Sequence, residues 1–226
     1  MKESHERSMD TRERLLQAAG EIFASNGFRA STVREISRRA KANVAAVNYH
    51  FGDKKGLYSA VLQSAFHSAV RKYPPDLGLN GEPTLEKRLH AFIRSFLFRI
   101  LDEGRPAWHG KLMVREMAEP TSALDGLVDR AIRPLYENLS GIVLEILGGS
   151  ANAEAARLCT QSIIGQCLFY YYAKPVISRL HPQSPESAEI EELALHITRF
   201  SLNALRAIHK SGAYQAAMEH YRSNGL

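Results

Sequence analysis

Asn48 and Tyr49, with Val44, Ala45 and Ala46 just before them, have side chains suited to reading the edges of DNA bases. An asparagine amide holds a donor and an acceptor side by side and can pair with adenine through both. A pair of alanines allows close approach and can touch thymine methyl groups. Thr32, Tyr49, His50 and Lys54 are of types that hold phosphate oxygens, helped by backbone N–H groups at helix starts. Such side chains act only if short, rigid elements present them together.

The spacing predicts those elements. Thr32 and Glu35 form a T-x-x-E capping box, so a helix starts there. Val33, Ile36 and Ala40 recur at helical spacing and give it one buried face, while Arg34, Arg38 and Arg39 stay largely outside. The break falls at Lys41–Ala42, and Asn43 is the natural N-cap of a second helix, Val44 to His50. Two turns are too short to be stable alone, so Val47 and Phe51 must hold that helix by packing. Two short helices with a tight break match a helix-turn-helix, whose second helix lies in the DNA major groove. The plainer alternative is a helical hairpin that only packs, with Tyr49 and His50 at the edge of a core.

Composition narrows the function classes. The chain has 226 residues, 45% hydrophobic and 23% charged, as expected of a globular protein. Residues 1–60 carry 11 Lys and Arg against 7 Asp and Glu, whereas residues 61–226 carry 18 against 17. The positive excess therefore sits with the helix-turn-helix, as a phosphate-facing surface requires. No apolar run is long enough to span a membrane, and the N-terminal MKESHERSMDTRERL lacks the apolar core of a secretory signal. A cytoplasmic location is expected, with no membrane partner. Cys159 and Cys167 fall on one predicted helix, roughly 12 Å apart, too far for a disulfide. No GxSxG, HExxH or GxGxxG occurs, and the nine histidines lack ligand spacing. Gly104 to Lys111 resembles a phosphate-binding loop only superficially, having one residue too many between its glycines and no following Ser or Thr. No catalytic residue, metal or cofactor is expected.

The remaining periodicity is helical, and the expected fold is all-α. Helix 1 is expected from Asp10 to Ser25, ended by Asn26-Gly27. A helix capped by Gly52-Asp53 runs to about Tyr73, before Pro74-Pro75. Others are expected from Thr84 to Gly104, Ala107 to Ala118, Ser122 to Leu147 with Pro134 kinking or splitting it, Asn152 to Ala173, and Ser187 to His209. Pro175 to Pro185 reads as irregular, and Tyr214 to Tyr221 as a last short helix.

Residues 10–58 resemble the DNA-binding domain of the TetR family of bacterial transcriptional regulators. The likeness rests on Ile22-Phe23, Gly27-Phe28, Thr32-Val33-Arg34-Glu35-Ile36, Val47-Asn48-Tyr49-His50-Phe51, Lys54 and Leu57-Tyr58. The sequence departs from the family at Lys41, where the turn usually has glycine, and at Asn48, where an aromatic is usual. Further on, REMAEPTSALDGLVDRAIRPLYENL and SIIGQCLFYYYAKPVISRL resemble the C-terminal domain of the CecR-like branch. The resemblance implies a three-helix DNA-binding domain over residues 1–58 and a larger helical effector-binding and dimerisation domain over residues 59–226. It places Arg34 within reach of a base or phosphate and Asn43 at the DNA-facing start of the second helix. It also implies an effector pocket, for which Phe66, Phe92, Phe96, Trp108, Met113, Glu116, Gln166 and Tyr170 are candidates, each with plain core packing as the alternative.

The helix from Asn152 is apolar beyond one stripe and the helix from Ser187 adds further apolar residues, so pairing with a second copy is expected, with completion of a monomeric core around the helix from Thr84 as the alternative. Gly165, Phe169, Ile197, Phe200 and Ala204 are the candidate interface. The expected function is a homodimeric repressor released from a palindromic double-stranded operator by a small molecule. The alternative is a helical DNA-binding regulator controlled by a protein partner, or with no small-molecule effector.

Overall fold

A computed structural model describes residues 2–102, 104, 106–148, 153–180, 182 and 190–211, with side chains described from Asp10 to Lys210. Among the described residues there are α-helices and one π turn, and no strand. The chain folds into two compact units, each formed from two stretches of sequence.

The first unit holds residues 1–71 and 103–133. It contains α1 (Lys2–Ala30), α2 (Val33–Arg39), α3 (Val44–Phe51) and most of α4 (Lys54–Lys72). It also contains α6 (Ala107–Ala118) and α7 (Ala123–Leu127). Helix α1 begins eight residues before the expected Asp10, and Gly27, at φ 80°, breaks its helical path where the N-G pair predicted. The core combines Leu15, Phe23, Ile36, Val47, Leu57, Tyr58 and Leu62 with Leu112 of α6. Helix α6 lies against α1 because Gly20 has no side chain: the Trp108 indole passes 2.5 Å from where a Cβ would stand. Beneath it Glu116 is wholly buried. It accepts the Tyr58 hydroxyl at 2.7 Å and the Thr121 backbone N–H and hydroxyl at 2.9 Å each.

The expected long helix from Ser122 is divided as Pro134 requires. After α7 the chain widens into a π turn, Val128–Ile132, and α8 runs from Arg133 to Ile146. Proline offers no N–H to the carbonyl four residues back, so the ladder shifts register and Arg133 N–H goes to the Val128 carbonyl.

The second unit holds residues 72–102 and those from 134 onward. Helices α5 (Leu85–Leu101), α8, α9 (Ala153–Tyr172), α10 (Lys174–Leu180) and α11 (Ile190–Ser211) build it. Thr84, where the sequence starts this helix, caps α5 through Lys87 N–H. The core gathers Leu89, Ile93 and Leu97 with Leu139, Val143, Ile163, Cys167, Ala194 and Ile197. Polar ties join its helices: His90 to Thr198 at 3.2 Å, Gln166 to Ser201 at 3.3 Å, and the ion pairs Arg94–Glu191, Arg88–Glu145 and Arg206–Glu86. Lys174–Leu180 is helical rather than irregular, since Pro175 sits in the first turn, where its missing N–H costs nothing. The expected helix Tyr214–Tyr221 lies outside the described residues.

Two predictions follow from this packing. Lys41 closes the α2–α3 turn at φ 50°, a left-handed conformation that burdens any residue with a Cβ. Lys41→Gly should raise the unfolding free energy by up to ~1 kcal/mol, seen as a higher urea midpoint with an unchanged m-value, while Lys41→Val should lower it. Burial first, and then the Glu116 carboxylate, hold the Tyr58 phenol well above its ordinary range. The folded state thus keeps Tyr58 protonated where the unfolded chain ionises, so its contribution is present below pH about 10 and lost above it. Tyr58→Phe should cost about 1–3 kcal/mol at neutral pH and flatten the alkaline limb of a stability–pH curve.

Candidate nucleic-acid interface

Helix α3 is fixed at both ends before anything touches it. The Asn43 side chain accepts from Ala45 N–H at 2.9 Å, and Thr32 caps α2 through Glu35 N–H at 3.2 Å. Gly52, at φ 79°, ends α3 with its N–H on the Asn48 carbonyl. Between the helices Ala42 N–H reaches the Ser37 carbonyl at 2.9 Å. From α1, Arg14 donates to the Ala40 and Lys41 carbonyls, and Arg39 pairs with Glu21. Val47 and Ile36 are wholly buried, so each short helix has one nail in the core.

What remains outside is an exposed face on α3. Tyr49 is 81% exposed and Val44 44%, values that a helix merely completing a core would not have. Ala45 and Asn48 share that exposure, as do Asn43, Thr32 and Arg34, while His50 is half-buried with Tyr49 edge-on to its ring. Two expected residues are placed differently. Ala46 is half-buried and packs on the core, because it lies next to Val47 on the inward turn. Lys54 is turned inward: its ammonium donates to the Ser31 carbonyl at 2.9 Å and the Arg29 carbonyl at 3.4 Å, and stands 4.6 Å over the Phe28 ring. It satisfies carbonyls just after α1 rather than standing free. Arg38, which the sequence places outside its helix, and Lys41, which it places only in the turn, are also exposed and carry no ion pair among the described residues. The charge excess of residues 1–60 was the signal for them.

The expected pocket residues are divided between the two units. Phe66, Trp108, Met113 and Glu116 belong to the first unit. Trp108 and Met113 pack on its core, and Glu116, fully buried with both oxygens bonded, is a strut rather than a pocket wall. Between the two charges of its helix turn, Glu116 faces inward, and the Arg115 guanidinium lies near Gly27 and donates to the Ser25 carbonyl. Phe92, Phe96, Gln166 and Tyr170 belong to the second unit, with Phe92 in its core and the others half-buried. There the structure adds Arg99, only 6% exposed, whose guanidinium lies 5.7 Å from the Phe92 ring and 5.6 Å from Phe96. Its place on the apolar stripe of α5, three residues after Phe96, was the missed signal. Burial pushes the Cys167 thiol up to about 12, so it is no nucleophile.

Of the expected pairing residues, Gly165, Phe169, Phe200 and Ala204 are exposed, Phe169 by 57% and Phe200 by 61%. Ile197 is the exception: it is 1% exposed and packs inside its own unit, at the edge of the inward stripe of α11, with Phe200 about 60° further round the helix. Among the described residues no helix is long and apolar enough to cross a membrane.

Comparison with known proteins agrees with this geometry. Residues 15–61 match the family of bacterial regulatory proteins, tetR family. Residues 85–205 match the C-terminal domain of the HTH-type transcriptional dual regulator CecR. The chain is 28% identical to the dual regulator CecR of Shigella flexneri over 177 residues, covering 74% of this chain and 78% of that protein. It is 35% identical to the HTH-type transcriptional repressor NicS of Pseudomonas putida over 134 residues, 56% of this chain and 62% of NicS. A crystal structure of a TetR-family regulator from Streptomyces coelicolor superposes with a TM-score of 0.62 at 17% identity, covering 88% of this chain and 97% of that one. Two short capped helices with an exposed reading face, joined to a helical domain of the CecR type, thus have one reading: the chain belongs to the TetR family of helix-turn-helix transcriptional regulators, and is a DNA-binding regulator rather than an enzyme.

Proposed function

We propose that the protein is a homodimeric repressor that leaves a palindromic operator when a small molecule binds its C-terminal helices. The observation that carries this reading is the apolar face shared by α9 and α11. Gly165 and Phe169 on one helix and Phe200 and Ala204 on the other are exposed, and the two helices touch through Gln166 and Ser201. Side chains as large as Phe169 and Phe200 left in water on adjoining helices favour a protein partner, and a second copy offers the same patch in return. A Cβ at Gly165 would meet nothing, so a partner helix can approach closely there. Pairing α9 and α11 with their two-fold mates gives a four-helix interface of bundle type.

In this reading residues 1–58 carry operator recognition and residues 59–226 carry pairing and effector binding. Val44, Ala45, Asn48 and Tyr49 read the major groove; Thr32, Arg34, Asn43 and His50 position the helix on phosphates. The effector is taken by the second unit, near the half-buried Phe96, Gln166 and Tyr170. A dimer must match half-sites about one helical turn (~34–36 Å) or a multiple apart. An effector that binds better to a splayed dimer shifts the population off DNA by its difference in affinity for the two states.

Phe200→Glu tests the interface. Because Phe200 is already exposed, the variant should fold with wild-type helicity. It should sediment as a monomer at micromolar concentration and lose tight binding to a palindromic site; a wild type that is itself monomeric there would overturn the proposal. Asn48→Ala tests the reading face. In a selection from random DNA it should relax preference at one base position and cost ~1–3 kcal/mol on the best site. An unchanged sequence preference would move the reading face elsewhere.

A further inference from the structure

A second concave site lies wholly within the first unit, apart from the exposed face of α3. It is a cleft of about 250 Å³ between the end of α1, the start of α4 and the segment around α7. Phe28, Tyr58 and Ala123 form its apolar wall, Ser59 adds a hydroxyl, and Lys55 and Arg130 bring two positive charges. No acidic side chain lines it. Neither cation has an ion pair among the described residues.

The wall is built in advance. Tyr58 is held from behind by Glu116, and the Phe28 and Tyr58 rings lie 5.0 Å apart. Arg130 is positioned by an absence. Gly126 stands in α7, where alanine would be the better helix former, and a Cβ there would come 2.6 Å from an Arg130 guanidinium nitrogen. The glycine therefore leaves room for the guanidinium to lie against the helix at the cleft. Two cations without an ion pair among the described residues thus line one cleft beside an aromatic wall.

We propose that this cleft binds a small organic anion: one carboxylate or phosphate group on a compact apolar body. Arg130 and Lys55 take the charge, Arg130 through its planar donor fork, and Phe28 and Tyr58 take the body. The volume lies just below that of sites for drug-sized molecules and suits on the order of ten non-hydrogen atoms. This site does not depend on the dimer or on the operator reading.

Calorimetric titration of the full chain tests it with four probes. Benzoate and phenyl phosphate represent the two anionic groups on an apolar body, inorganic phosphate the charge alone, and benzyl alcohol the body alone. At least one of the first two should bind, and the last two should bind at least about tenfold more weakly than it does; whichever of benzoate and phenyl phosphate is tighter identifies the head group. Arg130→Gln and Lys55→Gln should each weaken it by about tenfold or more. Gly126→Ala keeps every charge and should leave the melting temperature unchanged or higher, yet also weaken binding, because the new Cβ displaces the guanidinium. The proposal is overturned if neither organic anion binds below about 10 mM. It is also overturned if benzyl alcohol or inorganic phosphate binds as tightly, or if folded Arg130→Gln and Gly126→Ala both bind like the wild type.

Discussion

A carboxyl taken out of water must find donors, and Glu116 finds three: the Tyr58 hydroxyl, the Thr121 hydroxyl and the Thr121 backbone N–H. These bonds join α4, α6 and the segment entering α7. Losing a donor from such a group costs more than the bond itself was worth, because the buried oxygen stays unsatisfied. The arrangement therefore fixes geometry as much as it adds stability. Tyr58 in turn meets Phe23 edge-on at 4.9 Å and Phe28 at 5.0 Å, and Phe28 carries Lys54 above it. One satisfied carboxyl thus reaches the end of α1 and the start of α4, the two elements that frame the helix-turn-helix.

Helix α3 illustrates how little local energy a short element needs when its neighbours are rigid. Helix α3 spans Val44–Phe51, too short to persist in water. Its N-cap, a positive-φ residue at each end and the buried Val47 hold it in place, and Arg14 fastens the preceding turn to α1. The exposed side chains are then left with no structural duty. Tyr49 at 81% exposure makes no hydrogen bond among the described residues, and its hydroxyl is available to a phosphate.

The two long helices of the second unit follow a different rule. Helix α11 buries Ala194, Ile197, Thr198, Ser201, Leu202 and Leu205 and leaves Leu195, Phe200 and Ala204 outside. Thr198 and Ser201 are tolerated inside because each has a partner: Thr198 donates back to the Ala194 carbonyl and meets His90, and Ser201 accepts from Gln166. The inward stripe completes the unit's own core. The outward apolar residues are surplus to it.

Local signals were enough for much of this protein. Capping residues, proline positions and apolar spacing are properties of short stretches, and helices obey them whatever surrounds them. Thr32, Asn43 and Thr84 cap the helices that their sequence positions predict, and Pro134 divides its helix. The Asn-Tyr-His-Phe segment with its flanking residues was legible because a two-turn helix has few ways to be both anchored and exposed. Tertiary structure alone decided which apolar and charged side chains face which neighbour. Ile197 and Phe200 both fit the apolar pattern of α11 and lie only about 60° apart around it, yet one is core and the other surface, because the packing of α5 and α9 sets the edge of the inner side between them. Sequence position puts Lys54 on phosphate and leaves Glu116 between pocket and core for the same reason. Their partners, the Ser31 carbonyl and the Tyr58 hydroxyl, lie 23 and 58 residues away and are brought near only by folding.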